Sequence, residues 1–239
     1  MKKRSLLFIL TLMIAAGSGY AENAEHPGDS HYNDVGFFDI HLCNWPDRAP
    51  FYLAVFSTRQ FNDLKSVDLL NARGEQFASL DLSKYKVSHT NDKAEKRIYM
   101  SQIPRTANYV DGWFSAKISI AEQVHTAKDW VQHGVLSGAK SFQPTDGDAL
   151  SEPPKVLRWS AIEGAQYYLV FIKDIWGKDE LIFTSNLLTE PELVLPEELL
   201  EYGGLYAWRV HARDVNEDIK LGDFNIGSLT AWQQFTIAD

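Results

Sequence analysis

The sequence contains only one cysteine, Cys43, so no disulfide bond can form within the chain. Basic residues are also few, because 23 Lys and Arg stand against 32 Asp and Glu, a formal net charge of −9 at pH 7. This excess of acid disfavours nucleic acids and anionic membranes as partners, since both select for clustered Lys and Arg. Stability must come from buried apolar area, which 45% hydrophobic and 13% aromatic residues supply.

Long apolar runs are missing except at the N-terminus. Basic residues occupy positions 2–4, an apolar stretch covers 6–16, and small residues stand at Gly19 and Ala21. This pattern is typical of a cleavable secretory signal over residues 1–21, with cleavage after Ala21. The signal resembles those of bacteria, so we expect a periplasmic or secreted protein. No later segment has the roughly 20 apolar residues of a transmembrane helix, which predicts that the mature chain does not insert into a membrane.

Two domains are expected after the signal. Removing its three basic residues leaves 20 basic and 32 acidic residues, a net charge of −12. The remaining 218 residues suit two domains of about 100 residues each. Residues 22–31 are polar and predict a flexible N-terminal arm. Residues 143–153 are rich in turn formers and acids, which predicts a linker between domains at 32–142 and 154–239.

Strands are predicted throughout residues 32–142. Two stretches alternate apolar and polar residues, as half-buried strands do. Their apolar positions are Phe38, Ile40 and Leu42 in the first stretch and Phe114, Ala116, Ile118 and Ile120 in the second. Gly74 closes a predicted hairpin between 67–70 and 76–80, because glycine readily adopts a positive φ. The run Y-V-D-G-W-F-S-A-K-I-S-I resembles an immunoglobulin-like sandwich.

A weak helical periodicity is confined to residues 122–133. In a helix, His125, Asp129 and His133 would share one face, because residues four apart are neighbours. Two histidines and an aspartate can bind a metal, although surface positions without a ligand are the commoner outcome. Both interpretations stay open at this point.

Six short strands are predicted in residues 154–239, at the spacing of a β-sandwich. They are Val156–Trp159, Gln166–Lys173, Glu180–Thr184, Glu192–Leu195, Leu205–Arg213 and Ala231–Ile237. A single helical turn is predicted at residues 196–202.

Three segments of this half resemble strands of a fibronectin type III or related immunoglobulin-like domain. They are R-W-S-A-I-E-G-A-Q-Y-Y-L-V-F-I, G-G-L-Y-A-W-R-V-H-A-R-D and L-T-A-W-Q-Q-F-T-I, within about residues 153–238. The resemblance implies that Tyr206, Trp208, Val210 and Ala212 face inward, with Tyr206 in the place of the family's corner tyrosine. It implies nothing about activity. The fold class expected is all-β, with an immunoglobulin-like sandwich followed by a fibronectin type III-like sandwich.

One strand face carries three candidate metal ligands. Asp39, His41 and Cys43 alternate along the first predicted strand, so their side chains project to the same side. Imidazole and thiolate suit a transition metal, and a histidine beside a cysteine suits a thiol nucleophile. The alternative is a solvated face with one unpaired thiol, because a single strand lacks the second element that completes a coordination shell. An exposed Cys43 in an oxidising compartment would also form an intermolecular disulfide.

An acidic turn between the last strands is a candidate calcium site. Asp214, Asn216 and Asp218 place three oxygen ligands at alternate positions, as the first half of a calcium loop does. The helix-flanked version of the motif is excluded, because Ile219 stands at its glycine position and Asn225 at its bidentate acid. A looser calcium site and an ordinary acidic turn both stay open, and no other cofactor is predicted.

Local catalytic motifs are absent. The sequence has no G-x-S-x-G, no glycine-rich phosphate loop and no H-E-x-x-H, so it does not predict an enzyme. One alternative is a secreted or periplasmic hydrolase or metal-binding protein, because some enzymes lack local motifs. Another is a periplasmic chaperone of two immunoglobulin-like domains, but the proteins of that family are typically basic and this chain is acidic.

The strongest functional indication is a surplus of apolar side chains. In the strand at 166–173, Tyr168, Val170 and Ile172 fit the inward face. The outward side chains Tyr167, Leu169 and Phe171 are also apolar. We expect the other domain to cover them, with a binding partner as the alternative.

Trp176 is a second candidate contact, because it lies in the predicted turn after that strand. Aromatic side chains in turns suit glycan or protein binding, unless the ring folds back on its own sheet. The sequence therefore predicts an exported, non-catalytic binding or assembly protein whose partner is a protein or a glycan.

Overall fold

A computed structural model of the chain describes residues 28–88, 95–105, 110–215 and 224–239. The predicted signal at residues 1–21 lies outside these ranges. Strands make up 54% of the residues in these ranges and helix 2%, which confirms the all-β prediction. Within the described ranges, the one helical element is a 3-10 turn at Phe61–Asp63, and no helix is long and apolar enough to cross a membrane.

Eighteen strands lie in the described ranges. In chain order they are β1 Tyr32–Asn33, β2 Gly36–Asn44, β3 Phe51–Thr58, β4 Leu64–Leu70, β5 Gln76–Ser79, β6 Tyr85–Ser88, β7 Lys96–Pro104, β8 Gly112–Ile120, β9 Gln123–Val131, β10 Phe142–Gln143, β11 Asp148–Leu150, β12 Val156–Trp159, β13 Tyr167–Asp174, β14 Glu180–Thr184, β15 Glu192–Val194, β16 Leu205–Arg213, β17 Ile226–Leu229 and β18 Gln233–Ile237.

The N-terminal half is a sandwich of two layers. Strands β1, β2, β3, β7 and β6 form one layer, and β5, β4, β8 and β9 form the other. The core between them includes Phe38, Phe56 and Phe114, each fully buried. The apolar positions of both predicted alternations face this core. The second stretch is half-buried as predicted, whereas β2 is buried on both faces. The predicted hairpin is also present as β4 and β5, with Gly74 at a φ of 78°.

The C-terminal half has its own core. Strands β10, β12 and β15 form one layer, which faces the layer that contains β13, β14, β16, β18 and β11. Trp208 is fully buried, and the neighbouring inward positions Tyr206, Val210 and Ala212 are buried with it, as predicted. The Tyr206 hydroxyl accepts a hydrogen bond from the Glu201 backbone N–H at 2.9 Å. This bond ties the start of β16 to the preceding turn.

One sheet runs through both halves. Strand β17 pairs antiparallel with the end of β16 and parallel with β2, with Gly227 opposite Cys43. The pairing joins the two larger layers into a single 11-stranded sheet. We call the β17–β2 pairing the junction. The halves therefore meet edge to edge through shared backbone hydrogen bonds.

Four predictions of secondary structure and chain organisation differ from this structure. Residues 122–133 form strand β9 instead of a helix, because buried and exposed side chains alternate there. The predicted linker contains part of β10 and all of β11, which pair with β12 and β18. The described end of the predicted flexible arm is anchored, because His31 is buried. Residues 196–202 form turns without a helix.

Candidate functional site

Two exposed tryptophans stand side by side on the outer layer of the N-terminal sandwich. Trp113 on β8 lies directly opposite Trp130 on β9. The side chains are 51% and 43% exposed, and their rings form an edge-to-face pair with centroids 5.5 Å apart. Aromatic pairs prefer this geometry, which also leaves ring surface open to solvent. Two adjacent exposed aromatic rings make this surface a candidate contact site.

Polar side chains continue the same surface along the two strands. Next to the tryptophans, Ser115 lies opposite Lys128, and the following pair is Lys117 with Thr126. All four project outward, because the alternate residues of β8 face the core. We call these four side chains, together with Trp113 and Trp130, the tryptophan face. It combines apolar ring surface with hydroxyl and ammonium donors.

The predicted alternation of β8 contained the signal for this site. Since Phe114, Ala116 and Ile118 face the core, Trp113 must face outward. Its partner cannot be predicted, because the periodicity of residues 122–133 favours a weak helix around Trp130. Only the β8–β9 register brings the two rings together.

The apolar outer side of β13 is not part of the junction, so the docking of the two halves through this surface stays a prediction. Tyr167, Leu169 and Phe171 are half-buried on the outer side, while the alternate residues face the core as expected. Strand β13 is separated from the junction by β16 and β17. The Arg209 guanidinium lies over Phe171 and Trp232, at 5.8 and 4.2 Å from the ring centroids, and this stacking shields part of the surface.

Trp176 lies in the turn between β13 and β14 and is 69% exposed. The Asp174 side chain shapes this turn by accepting a hydrogen bond from the Gly177 backbone N–H at 2.9 Å. The ring does not fold back on its own sheet. Trp176 therefore remains a candidate contact residue, but without a second aromatic side chain opposite it.

The three side chains on the outer face of β2 are buried at the junction. Asp39, His41 and Cys43 are 5%, 4% and 2% exposed. His41 Nδ1 lies 3.2 Å from Asp39 Oδ1, and the Phe224 ring covers His41 with centroids 4.0 Å apart. The prediction of a solvated strand face is therefore wrong. The Cys43 thiol is buried, so the prediction of an exposed thiol that forms an intermolecular disulfide is wrong as well.

Two histidines at the junction have opposite electrostatic environments. Burial lowers the pKa of His41, but the Asp39 carboxylate outweighs it and raises the pKa to about 10. Burial lowers the pKa of His211 to about 3, and the nearby charges of Arg213, His41 and Arg209 add to this. At neutral pH, His41 is charged and paired, while His211 is neutral.

Acid is expected to weaken the folded protein through His211. Its folded pKa lies below the ordinary value of 6.5, so its stabilising contribution is present above pH 6.5 and is lost as the pH falls toward about 3. The loss approaches about 1.4 kcal/mol per pH unit within this window. Urea denaturation at several pH values should show a smaller acid-induced loss for His211→Leu than for the wild type.

The matched control for that measurement is His125→Leu, on β9 and away from the junction. It should retain the acid dependence of the wild type. An identical acid-induced loss in His211→Leu and wild type would contradict the assignment of a neutral, buried His211.

A third buried histidine, His31, anchors the N-terminal arm. His31 Nδ1 lies 2.7 Å from Asp29 Oδ1, and its Nε2 lies 3.0 Å from Asp129 Oδ1. The other Asp129 oxygen accepts the Ile40 backbone N–H at 2.7 Å. Burial raises the pKa of Asp129 above its usual range, although the hydrogen bond from His31 opposes this. The prediction that His125, Asp129 and His133 share one face of a helix is therefore wrong, because Asp129 lies on strand β9 and is bonded to His31 and Ile40.

The candidate metal ligands have other partners in the described residues. Asp214 Oδ1 accepts backbone N–H groups of Val215, Asn225 and Ile226 at 2.9 to 3.1 Å, so it holds the loop before β17. Asn216 and Asp218 lie outside the described residues. Within the described ranges, no group of three or more His, Cys, Asp or Glu side chains is placed to hold a metal ion.

Two open grooves flank residues 152–155 in the C-terminal half. Their volumes are about 480 and 550 Å³. Prolines and glutamates line much of the first, together with Val194 and Tyr202, which are 68% and 59% exposed. The residues that line the two grooves include no histidine and no cysteine. The tryptophan face is the stronger candidate.

No protein-family model and no curated protein matches this chain. Among solved structures, a match is the titin domains Z1Z2 in complex with telethonin, at 12% sequence identity. The match covers 85% of this chain and 96% of that chain, with a TM-score of 0.23. Since that similarity is too low to transfer a function, the case for a function rests on the geometry of this chain.

Proposed function

We propose that this is an exported, non-catalytic binding protein that holds a glycan against the tryptophan face. Export is inferred from the sequence pattern of residues 1–21. The proposal also assigns the N-terminal half as an immunoglobulin-like module and the C-terminal half as a fibronectin type III-like module. The Tyr206 hydrogen bond to the turn before β16 supports the second assignment, because a corner tyrosine of that fold makes such a bond.

The exposed pair of Trp113 and Trp130 is the observation that carries the proposal. A sugar ring has apolar C–H faces and a polar rim of hydroxyls. The negative electrostatic face of an indole attracts such C–H groups. The Ser115 hydroxyl and the Lys128 ammonium are on the next outward pair along the strands, where they can bond to the polar rim. Lys117 and Thr126 form the following pair. Ring stacking and peripheral hydrogen bonds are both available on one surface.

Affinity electrophoresis with a panel of neutral and acidic polysaccharides tests this function, followed by calorimetry on those that retard the protein. Trp113→Ala and Trp130→Ala should each weaken binding roughly tenfold or more, because truncating a central aromatic contact removes most of its interaction. Both side chains are exposed, so the thermal unfolding temperature should change little.

The matched control is Trp176→Ala, which removes an exposed tryptophan from the other half and should leave binding intact. If no polysaccharide in the panel binds, or if both face variants bind as the wild type does, the proposal is wrong. A loss confined to Trp176→Ala would move the contact to the β13–β14 turn.

A further inference from the structure

We propose that the glycan bound by the tryptophan face is an anionic polysaccharide, recognised through Lys128 and Lys117. This inference rests on the proposed function and adds the chemical class of the ligand. The two lysines are exposed, and neither has an ion-pair partner among the described residues. By contrast, Lys65 and Lys173 are paired with Glu122 and Asp179, at 2.8 and 2.9 Å.

Lys128 has the better position for this role. It lies opposite Ser115 and two residues from Trp130, about 7 Å along the strand. It is also diagonal to Trp113, within reach of a long side chain. The hydrogen bond from its backbone N–H to the Ser30 carbonyl at 3.0 Å holds this part of β9 in place. A carboxylate or sulfate on a stacked sugar would therefore meet the Lys128 ammonium.

Lys117 lies one step further along the surface and has an acidic neighbour. Asp68 on β4 is its cross-strand partner. The Asp68 carboxylate accepts hydrogen bonds from Ser66, Gln76 and Ser79, at 3.1, 3.2 and 2.6 Å. Those donors satisfy the carboxylate, but its charge still weakens the field at Lys117. We therefore expect Lys117 to contribute less than Lys128.

The negative net charge of the chain does not prevent this recognition. At physiological ionic strength, charges more than about 8 Å apart in solvent are largely screened. The groups that decide the interaction are those next to the bound sugar. The tryptophan face carries two lysines, and its neighbour on β4 is one hydrogen-bonded aspartate. The summed charge of these three groups is positive, opposite in sign to that of the whole molecule.

Binding of matched neutral and anionic polymers tests the inference. Polygalacturonate is compared with its methyl ester, and dextran sulfate with dextran, by calorimetry at physiological salt. The wild type should bind an anionic polymer more tightly than its neutral match. Lys128→Gln should weaken that binding roughly two- to fivefold, as expected for a solvent-exposed charge contact, and Lys117→Gln should weaken it less.

Lys178→Gln is the matched control, since it removes another exposed positive charge, from the β13–β14 turn. Equal affinity for the anionic and neutral members of both pairs would overturn the inference. The inference would also be overturned if Lys128→Gln bound the anionic polymers as tightly as Lys178→Gln does, or if the wild type bound none of the four polymers. In each of these cases the proposed function stands if Trp113→Ala abolishes binding to another glycan of the panel.

Discussion

Replacing Trp208 by alanine is expected to lower the free energy of unfolding by about 3 to 5 kcal/mol. The side chain is fully buried, and its Nε1 donates a hydrogen bond to the Pro144 carbonyl at 3.1 Å. Its ring packs against Phe142 and Trp159, with centroids 5.6 and 6.1 Å apart. Alanine would leave a cavity and an unpaired carbonyl oxygen in the C-terminal core. Urea denaturation followed by far-ultraviolet circular dichroism measures the loss without relying on tryptophan fluorescence.

Trp176→Ala is the control for this measurement, because it removes the same side chain from an exposed turn. Its stability should stay close to that of the wild type. A Trp208→Ala variant as stable as Trp176→Ala would show that the inward and outward sides of β16 have been assigned the wrong way round.

Replacing Asp39 by asparagine is expected to cost about 3 to 5 kcal/mol at neutral pH. The substitution keeps the side-chain shape but removes the negative charge that lies 3.2 Å from His41 Nδ1. The side chains of the pair are 7% and 5% exposed, so water cannot replace the lost partner. Asp39 also favours the charged form of Arg213, which the substitution would leave less well compensated. The free energy of unfolding from urea titration reports the effect.

The cost of Asp39→Asn should depend on pH in a defined direction. The pKa of His41 is raised from 6.5 to about 10, so its stabilising contribution is fully present below pH 6.5 and is lost as the pH rises through about 10. The wild type therefore loses this contribution over that window, whereas the variant has no ion pair to lose. The stability difference between the two should be largest at about pH 6 and should shrink toward pH 10.

Asp47→Asn provides the matched control at an exposed pair. Asp47 Oδ2 lies 2.9 Å from an Arg48 nitrogen, but the two side chains are 61% and 42% exposed. Solvent screens this pair, so its loss should change stability little at any pH in the window. If Asp39→Asn behaves like Asp47→Asn, the buried pair does not stabilise the junction.

The inward residues of each sandwich could be predicted because alternation is a local property. A strand has a period of two, so the positions of Phe38, Ile40 and Leu42, or of Tyr206, Trp208 and Val210, follow from the apolar pattern alone. The outward residues were harder to interpret. The same pattern does not say whether an outward side chain meets solvent, another strand or a ligand.

Segments with weak apolar periodicity could not be assigned from the sequence, because partners distant in the chain hold them in place. Strand β11 has three residues, Asp148–Leu150, and is ordered by its parallel pairing with β18, which is distant in sequence. His31 is held by Asp129, 98 residues away in the chain. Neither partner can be identified from neighbouring residues, so composition predicted a linker and a flexible arm.

The sequence by itself determined the β class, the two cores and the outward direction of Trp113, because these depend on composition and local periodicity. Only the tertiary structure decided that β17 joins the halves, that Asp39 and His41 are buried there, and that Trp130 lies opposite Trp113. Each of these depends on strand pairing between distant segments. Pairing is set by the packing of whole layers, which no local pattern encodes.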